Sequence, residues 1–297
     1  MEDAGHFPVM LGDVLELLAP ADDETMVDCT IGLGGHAEAL LSAAGGGARL
    51  IGIDLDESNL LKTKERLARF GPRVRLFRAD FADLAAVLQE AGAASADVLL
   101  ADLGMASTQV DDPARGFSFR TDGPLDMRFG GDRPTAADLV NRLGEDELAE
   151  TIRRFGEDRR ARRIARAIVR ARRVEPIRRT ARLARVVADA VGPARGRRRI
   201  HPATRTFQAL RIAVNGELAS LRRLLEQLPD RLSPAGRAAV ISFHSLEDRL
   251  VKRSFASAAA AGACRRLTPR PRTPDDEELS RNPRSRSAKL RAIRRTG

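Results

Sequence analysis

Four short apolar runs divide the first third of the chain, at residues 25–30, 49–54, 74–79 and 97–102, each followed by a polar turn. Between them, residues 35–44 and 57–70 carry apolar side chains at helical spacing, with Asp56 placed as an N-cap for the second helix. Strand and helix alternating at this spacing predict βαβ units and a parallel sheet, since parallel strands need a crossover long enough to hold a helix. After Gly104 the pattern gives way to a stretch rich in Asp, Arg, Gly and Pro that runs to about Pro134. That is too long for a simple connection, so it is read as a functional lid or as the entrance to an insertion. Helical spacing returns at 136–141, 145–155, 159–173 and 180–191 and lasts to about Asn215, with breaks at Pro176 and at Gly192-Pro193. Strand character resumes at 236–243 after a Pro-Ala-Gly turn, and Ser245 with Asp248 is placed to cap the next helix. Two further strands, near 266–268 and 288–294, complete seven. The expectation is an α/β fold with a doubly wound seven-stranded sheet interrupted by an inserted helical domain. Its first part spans 1–107, the insertion 108–212 and its second part 213–297.

A chain of 297 residues with 43% hydrophobic and 31% charged positions can bury a sizeable core as a soluble globular protein. No window approaches the roughly 20 uncharged apolar residues of a membrane span, and Met1-Glu2-Asp3 does not begin a secretory signal. A cytoplasmic protein without a membrane partner is expected. Cys29 and Cys264 stand far apart and outside any CxxC spacing, which predicts two buried thiols and no disulfide framework or metal site. The placement of charge changes the picture more. Residues 151–212 hold 20 Arg, no Lys and four acids (Glu157, Asp158, Glu175, Asp189), a balance of +16 against +10 for the whole chain. A biased base composition would explain Arg over Lys but not this concentration, so the segment predicts a polyanionic partner.

The most informative local pattern is Asp28-Cys-Thr-Ile-Gly32-Leu-Gly34-Gly35-His36, between the first strand and its helix. Glycines there permit a sharp turn and close approach of a ligand to main-chain N–H groups at a helix N-terminus. Asp54 closes the second strand about 20 residues later, where an acid partners ribose hydroxyls. The loop alone leaves three readings open: S-adenosylmethionine, a nicotinamide dinucleotide (Gly32, Gly34 and Ala37 satisfy GxGxxA), or a structural turn. Asp28, a further carboxylate beside the loop, favours a cationic sulfonium over a dianionic pyrophosphate. Asp80-Phe81 ends the third strand where an adenine would lie, and Phe81 is equally acceptable as core. Asp102 ends the fourth strand beside the first. A carboxylate there can accept the N–H of an exocyclic amine and raise electron density on its nitrogen; a turn-capping Asp is the alternative.

These segments, taken with others along the chain, resemble the RsmH (MraW) family of small-subunit ribosomal RNA cytosine-N4 methyltransferases. The resemblance is carried by His6-Phe-Pro-Val-Met-Leu, Gly32-Leu-Gly-Gly-His36, Asp102-Leu-Gly, Arg115-Gly-Phe-Ser-Phe119 and Asp122-Gly-Pro-Leu-Asp-Met-Arg128. It continues through Arg163-Ile-Ala-Arg-Ala-Ile168, His201-Pro-Ala-Thr-Arg-Thr-Phe-Gln208, Ile241-Ser-Phe-His-Ser-Leu-Glu-Asp-Arg249 and Asn282-Pro-Arg-Ser-Arg-Ser287. It implies a Rossmann-like class I methyltransferase core interrupted by a helical domain. It also implies methyl transfer from S-adenosylmethionine to one cytosine N4 near the decoding centre, with small-subunit ribosomal RNA within the assembled subunit as partner, by a monomer or a homodimer. Cofactor contacts carry over to Gly34, Gly35, His36, Asp54, Phe81, Asp102 and Gln109, with Asp102 also the catalytic residue. Met105 and Ala106 stand where the family has Val and Ser, which removes any hydroxyl role at Ala106. With no Trp or Tyr, base stacking falls to Phe, His or Arg, and the available rings include Phe117, Phe119, Phe129 and Phe243. His244 and Ser245 are expected to border the same cleft, in contact with the target nucleotide or in capping and turn roles. Of Arg205 and Arg211, at most one is expected to reach RNA from a given surface. A DNA amino-methyltransferase would follow its acid with Pro-Pro-aromatic rather than Leu103-Gly104, a non-catalytic assembly factor would not need an intact loop, and a dehydrogenase would need a hydride-transfer partner that the sequence does not supply.

Overall fold

The computed structural model describes residues 7–192 and 201–297; Met1-Glu2-Asp3, His6, Pro193 and four of the 20 Arg counted above lie outside them. The chain divides into two compact units, Met1–Gly104 with Leu218–Gly297, and Met105–Glu217. The first contains α1 (Leu11–Leu18), β1 (Thr25–Asp28), α2 (Gly35–Ala44), β2 (Arg49–Asp54), α3 (Glu57–Arg66), β3 (Val74–Arg78), α4 (Leu84–Glu90) and β4 (Ala96–Asp102). The second carries α5 (Ser107–Asp111), α6 (Ala136–Arg142), α7 (Glu145–Gly156), α8 (Ala161–Val174), α9 (Thr180–Val191) and α10 (Thr204–Asn215). The chain then returns through α11 (Glu217–Arg231), β5 (Leu232–Ser242), α12 (Ser245–Ala260), β6 (Cys264–Arg266), α13 (Asp276–Arg281) and β7 (Lys289–Arg295). Among the described residues no helix is long and apolar enough to cross a membrane.

The strands form one seven-stranded sheet in the order β3-β2-β1-β4-β5-β7-β6, in which β7 runs antiparallel to both neighbours. Leu99, Ala101 and Leu103 of the β4 segment face a core shared with Leu88 of α4, Leu224 of α11 and Phe255 of α12. Val98 and Leu100 face the opposite core, with Val14 of α1 and Leu40 and Leu41 of α2. Helices on both faces explain why the central strands are continuously apolar rather than alternating. Chain order reverses between β1 and β4, and in open α/β sheets ligands gather at such a point, beyond the carboxyl ends of the strands.

The expected elements are present, with three corrections. β5 begins at Leu232, so Pro234-Ala235-Gly236 lies within a strand; Ala235 has φ 62°, and the pairing with β4 shifts register between Ala96 and Val98. That is a bulge rather than a preceding turn. β6 lies two residues earlier than the 266–268 run. α11 has no counterpart in the pattern reading, although Leu221, Leu224, Leu225 and Leu228 form one helical stripe. The second unit ends at Glu217 rather than at 212 because α10 continues to Asn215 and stops only at Gly216, φ 66°. Cys29 and Cys264 are buried free thiols.

In the second unit, α6 to α10 enclose Val140, Ile152, Ile164, Leu183 and Leu210. The long stretch before α6 is tied into this unit. Arg115 Nη2 donates to the carbonyls of Arg128 and Phe129, each at 3.0 Å. Asn215 accepts the Phe129 N–H on Oδ1 at 2.9 Å and donates to Met127 O at 2.8 Å. A Cβ on Gly123 would fall 1.8 Å from Pro113 O, so the backbone crossing there admits only glycine. Asp122 accepts the Ala181 N–H at 3.0 Å at the start of α9 and pairs with Arg179 at 2.8 Å. The Arg-Gly-Phe-Ser-Phe and Asp-Gly-Pro-Leu-Asp-Met-Arg segments thus build this loop.

Candidate active site

At the carboxyl ends of β1, β2 and β4 the first unit brings three aspartates to one loop. Gly32 N–H donates to Asp54 Oδ2 at 2.9 Å, which ties the loop to β2. The Asp102 N–H donates to Thr30 Oγ1 at 2.6 Å, which ties it to β4. Asp28 Oδ1 accepts the Thr30 N–H at 3.1 Å. From α3, Thr63 donates to Gly32 O at 2.7 Å and Arg66 donates to Leu33 O at 3.0 Å. Gly34 precedes α2 with φ 77°, and a Cβ on it would meet Thr63 Cγ2 at 3.0 Å, so both conformation and space favour glycine. The N–H groups of Gly32 and Gly34 are already taken, by Asp54 and by Ile31 O. These two glycines shape the turn; they do not offer donors to a ligand.

The electrostatics follow from crowding acids in a desolvated place. Burial pushes the Asp28 carboxyl up to about 7; the Thr30 N–H partly offsets this, and the negative charges of Asp102 and Asp54 add to it. Asp102 is likewise pushed up to about 7, first by burial and then by the charge of Glu247, against a lowering hydrogen bond from the Gly104 N–H. Asp54 is raised by burial, moderated by hydrogen bonds from Asp56, Asn59 and Gly32. Asp102 keeps 20% of its side-chain surface and Asp28 only 2% of its residue surface, so Asp28 is the more completely desolvated of the pair.

Asp102 Oδ1 is buried without a hydrogen-bond partner among the described residues. Such an acceptor costs stability unless something fills it. Its Oδ2 lies 3.9 Å from His36 Nδ1, while His36 Nε2 is 2.9 Å from Val9 O, an arrangement suited to a proton on Nε2. Asp54 accepts three hydrogen bonds, from Gly32, Asp56 and Asn59, which leaves one acceptor site of a carboxylate's four. Phe81 follows β3, packs partly buried against the core, and lies two residues beyond Ala79, whose N–H donates to Asp54 O at 3.2 Å. Gln109 belongs to the second unit, where its Oε1 accepts the Ala106 N–H at 3.2 Å.

Other expected residues are already engaged. His244, not Ser245, caps α12: its Nδ1 accepts the Glu247 N–H at 3.3 Å, because the residue before the first helical turn is the one whose side chain can reach back to it. Asp248 instead holds Arg291 at 2.7 Å and Lys289 at 3.1 Å. Glu247 Oε2 accepts the N–H groups of Phe243 and His244 at 2.8 and 3.2 Å. Phe117 and Phe129 stack on each other with centroids 5.3 Å apart, and Phe119 packs on His201 and Phe207 at 4.6 and 4.7 Å. Phe243 covers Gly104, where a Cβ would lie 2.9 Å from its ring. Arg211 is held by Glu217 through two hydrogen bonds, at 2.9 and 2.8 Å, whereas Arg205 is exposed and donates to Glu157 O at 3.1 Å. Sequence reasoning missed Thr30, Thr63 and Arg66, which brace the loop through contacts between residues far apart in the chain, and Glu247, whose charge raises Asp102.

A profile describing the MraW methylase family matches residues 3–296. The ribosomal RNA small subunit methyltransferase H of Pelobacter propionicus is 50% identical over 305 residues, 97% of this chain and 97% of its own. The protein of the same name from Solidesulfovibrio magneticus is 50% identical over 309 residues, 98% of this chain and 95% of its own. That of Anaeromyxobacter sp. is 47% identical over 306 residues, 98% of both chains.

Proposed function

Because the chain belongs to the MraW methylase family, we propose that it transfers a methyl group from S-adenosylmethionine to the N4 amine of a cytosine in small-subunit (16S) ribosomal RNA near the decoding centre, in the cytoplasm. The observation that carries this reading is the acid-lined switch point with an unfilled buried oxygen, Asp102 Oδ1. Three carboxylates crowded around a glycine turn suit a ligand that brings positive charge and oppose a dianionic pyrophosphate. S-adenosylmethionine, when bound, supplies an electrophilic methyl carbon on a cationic sulfur.

The protein's part is binding, orientation and proton handling. Asp28 and Asp102 balance the incoming positive charge, which returns both to their ionised forms. The remaining acceptor site of Asp54 takes a ribose hydroxyl, and Phe81 packs on the adenine. Gly34, Gly35 and His36 form the wall at the start of α2. Asp102 Oδ1 would accept an N–H of the cytosine amine, orient the nitrogen lone pair and take up the proton that the nitrogen releases as its bond to the methyl carbon replaces that carbon's bond to sulfur, the sulfur leaving as a neutral thioether. Cytosine N4 is normally paired, so the substrate nucleotide is unstacked. The assembled small subunit is the substrate that presents it.

The test offers labelled S-adenosylmethionine with naked ribosomal RNA, assembled small subunits and DNA, followed by nucleoside mass analysis. Label in N4-methylcytosine from the subunits is expected. Label confined to DNA, or calorimetry showing dinucleotide uptake and no S-adenosylmethionine uptake, overturns the reading.

A further inference from the structure

The polar face of α8 departs from how helices normally arrange charge. The helix contains six Arg and no acid. At about 100° per residue, Arg162, Arg163, Arg166, Arg170 and Arg173 fall within an arc of about 100°. Ile164, Ala165 and Ile168 are buried on the other side. Arg172, off the arc, donates to Val140 O at 2.7 Å. Arg166 meets Glu145 at 3.3 Å, while Arg162, Arg163, Arg170 and Arg173 are exposed, with no ion pair among the described residues.

Arg162 and Arg163 occupy the first turn, where the helix dipole disfavours cations. The pairs 162/166 and 166/170 set like charges at the i,i+4 distance, which also destabilises a helix. Neighbouring α7 does the opposite, with Glu145, Asp146 and Glu147 in its first turn and Arg153 and Arg154 in its last. A face that only met solvent would gain from α7's pattern. One kept wholly cationic, against its own helix's electrostatics, is built for an external anion.

We propose that this face of α8 is the surface that grips the phosphate backbone of a double-helical RNA stem without reading its bases. The proposal rests on the RNA reading above and assigns its electrostatic grip to named residues. Guanidinium groups pair with phosphate in two-pronged fashion, and a row spanning three helical turns can follow a strand. No aromatic residue lies on the arc, so stacking on unpaired bases has no platform there. Membrane insertion is excluded by the burial of the helix's apolar side in the core of its own unit. A protein partner would want an apolar or aromatic anchor at the centre of the patch, and the arc has none.

The test uses the full chain and the variant carrying Arg162→Gln, Arg163→Gln, Arg170→Gln and Arg173→Gln. Binding of an RNA hairpin of arbitrary sequence is followed by fluorescence anisotropy across a salt series. The variant should lose about 100-fold in affinity, and its slope of log affinity against log salt should flatten by about 3.6, about 0.9 for each of four phosphates no longer neutralised. Lys at the same four positions should restore most of the slope but not all of the affinity. S-adenosylmethionine binding should not move, and the melting temperature should hold or rise slightly as the like-charge pairs and first-turn cations are removed. Unchanged hairpin affinity in the Gln variant overturns the proposal, as does tighter binding of oligouridylate than of hairpin through these positions, or displacement of the hairpin by phosphatidylserine vesicles. If the wild-type chain methylates no RNA while the Gln variant still loses the hairpin, the functional reading fails and this one stands. If ribosomal RNA is methylated and the Gln variant keeps its KM for subunits, this one fails alone.

Discussion

Two regions of this molecule crowd like charges together, and they relieve the strain in different ways. At the switch point, Asp28, Asp54 and Asp102 are gathered around one loop in a desolvated setting, and burial raises all three. A carboxyl in that position can shed its charge by taking a proton. On α8 the five arginines of the arc cannot, because guanidinium stays charged at any pH a protein survives. They remain exposed, and apart from Arg166, which meets Glu145, they rely on water and counterions. The acid cluster therefore answers to pH and to a cationic ligand, while the basic face answers to salt and to a polyanion.

The largest effect expected from breaking this contrast comes from removing the acid with the unfilled oxygen. Asp102→Ala should lower single-turnover methyl transfer by about 10³-fold, within the range for loss of a positioned acid–base group. Calorimetry should show cofactor affinity weakened by much less, and turnover left near wild type would remove the role assigned to Asp102. The next effect is in pH. Protonation of Asp28 and Asp102 removes the charge that attracts a cation, so S-adenosylmethionine affinity should fall as pH drops through about 7. The fall should approach tenfold per pH unit for each proton taken up. Stability of the ligand-free chain should run the other way. The folded carboxyls hold protons up to about 7 that unfolded ones release near 4, so these groups destabilise the fold progressively as pH rises between those values. Melting temperature should decline from pH 5 to pH 8 without cofactor, and Asp28→Asn should flatten the decline. A flat wild-type profile in both measurements would mean that the aspartates are not coupled as the geometry indicates.

Much of this was legible in the sequence because its signals are local. The strands at 49–54 and 97–102 are continuous apolar runs that must be covered on both faces, and Asp54 and Asp102 end them, so their placement at the sheet's carboxyl edge follows directly. Asp56 capped α3 as its position relative to the periodic run required. What was not legible depends on contacts across long separations or on fine geometry. Thr63 and Arg66 brace a loop more than 30 residues earlier, and nothing in their neighbourhood marks them for it. The bulge at Ala235 made a strand interior look like a turn, since Pro-Ala-Gly punctuates both. His244 rather than Ser245 became the cap because the helix starts one residue earlier than the Ser-Leu-Glu-Asp signature suggests. The Arg excess was plain from composition, but only the helix's buried side shows which arginines must share a face.

The smallest expected effect tests the α8 side of the contrast at a single position. Arg162 sits in the first turn of a helix that has no acid there. Arg162→Glu would place a negative charge where the dipole favours one, and four residues before Arg166, the orientation in which an acid–base pair supports a helix best. Both changes are favourable and exposed, so they should together raise stability by about 0.5 kcal/mol. Urea denaturation should show this as a higher midpoint with an unchanged m-value. The same substitution puts a carboxylate against RNA phosphate, so hairpin affinity should fall further than with Arg162→Gln. A helix that becomes more stable as it binds RNA more weakly would show that its arginines are kept for the partner. If stability rose and binding held, Arg162 would be no more than a solvated side chain, and the phosphate-gripping row would have to begin farther along α8.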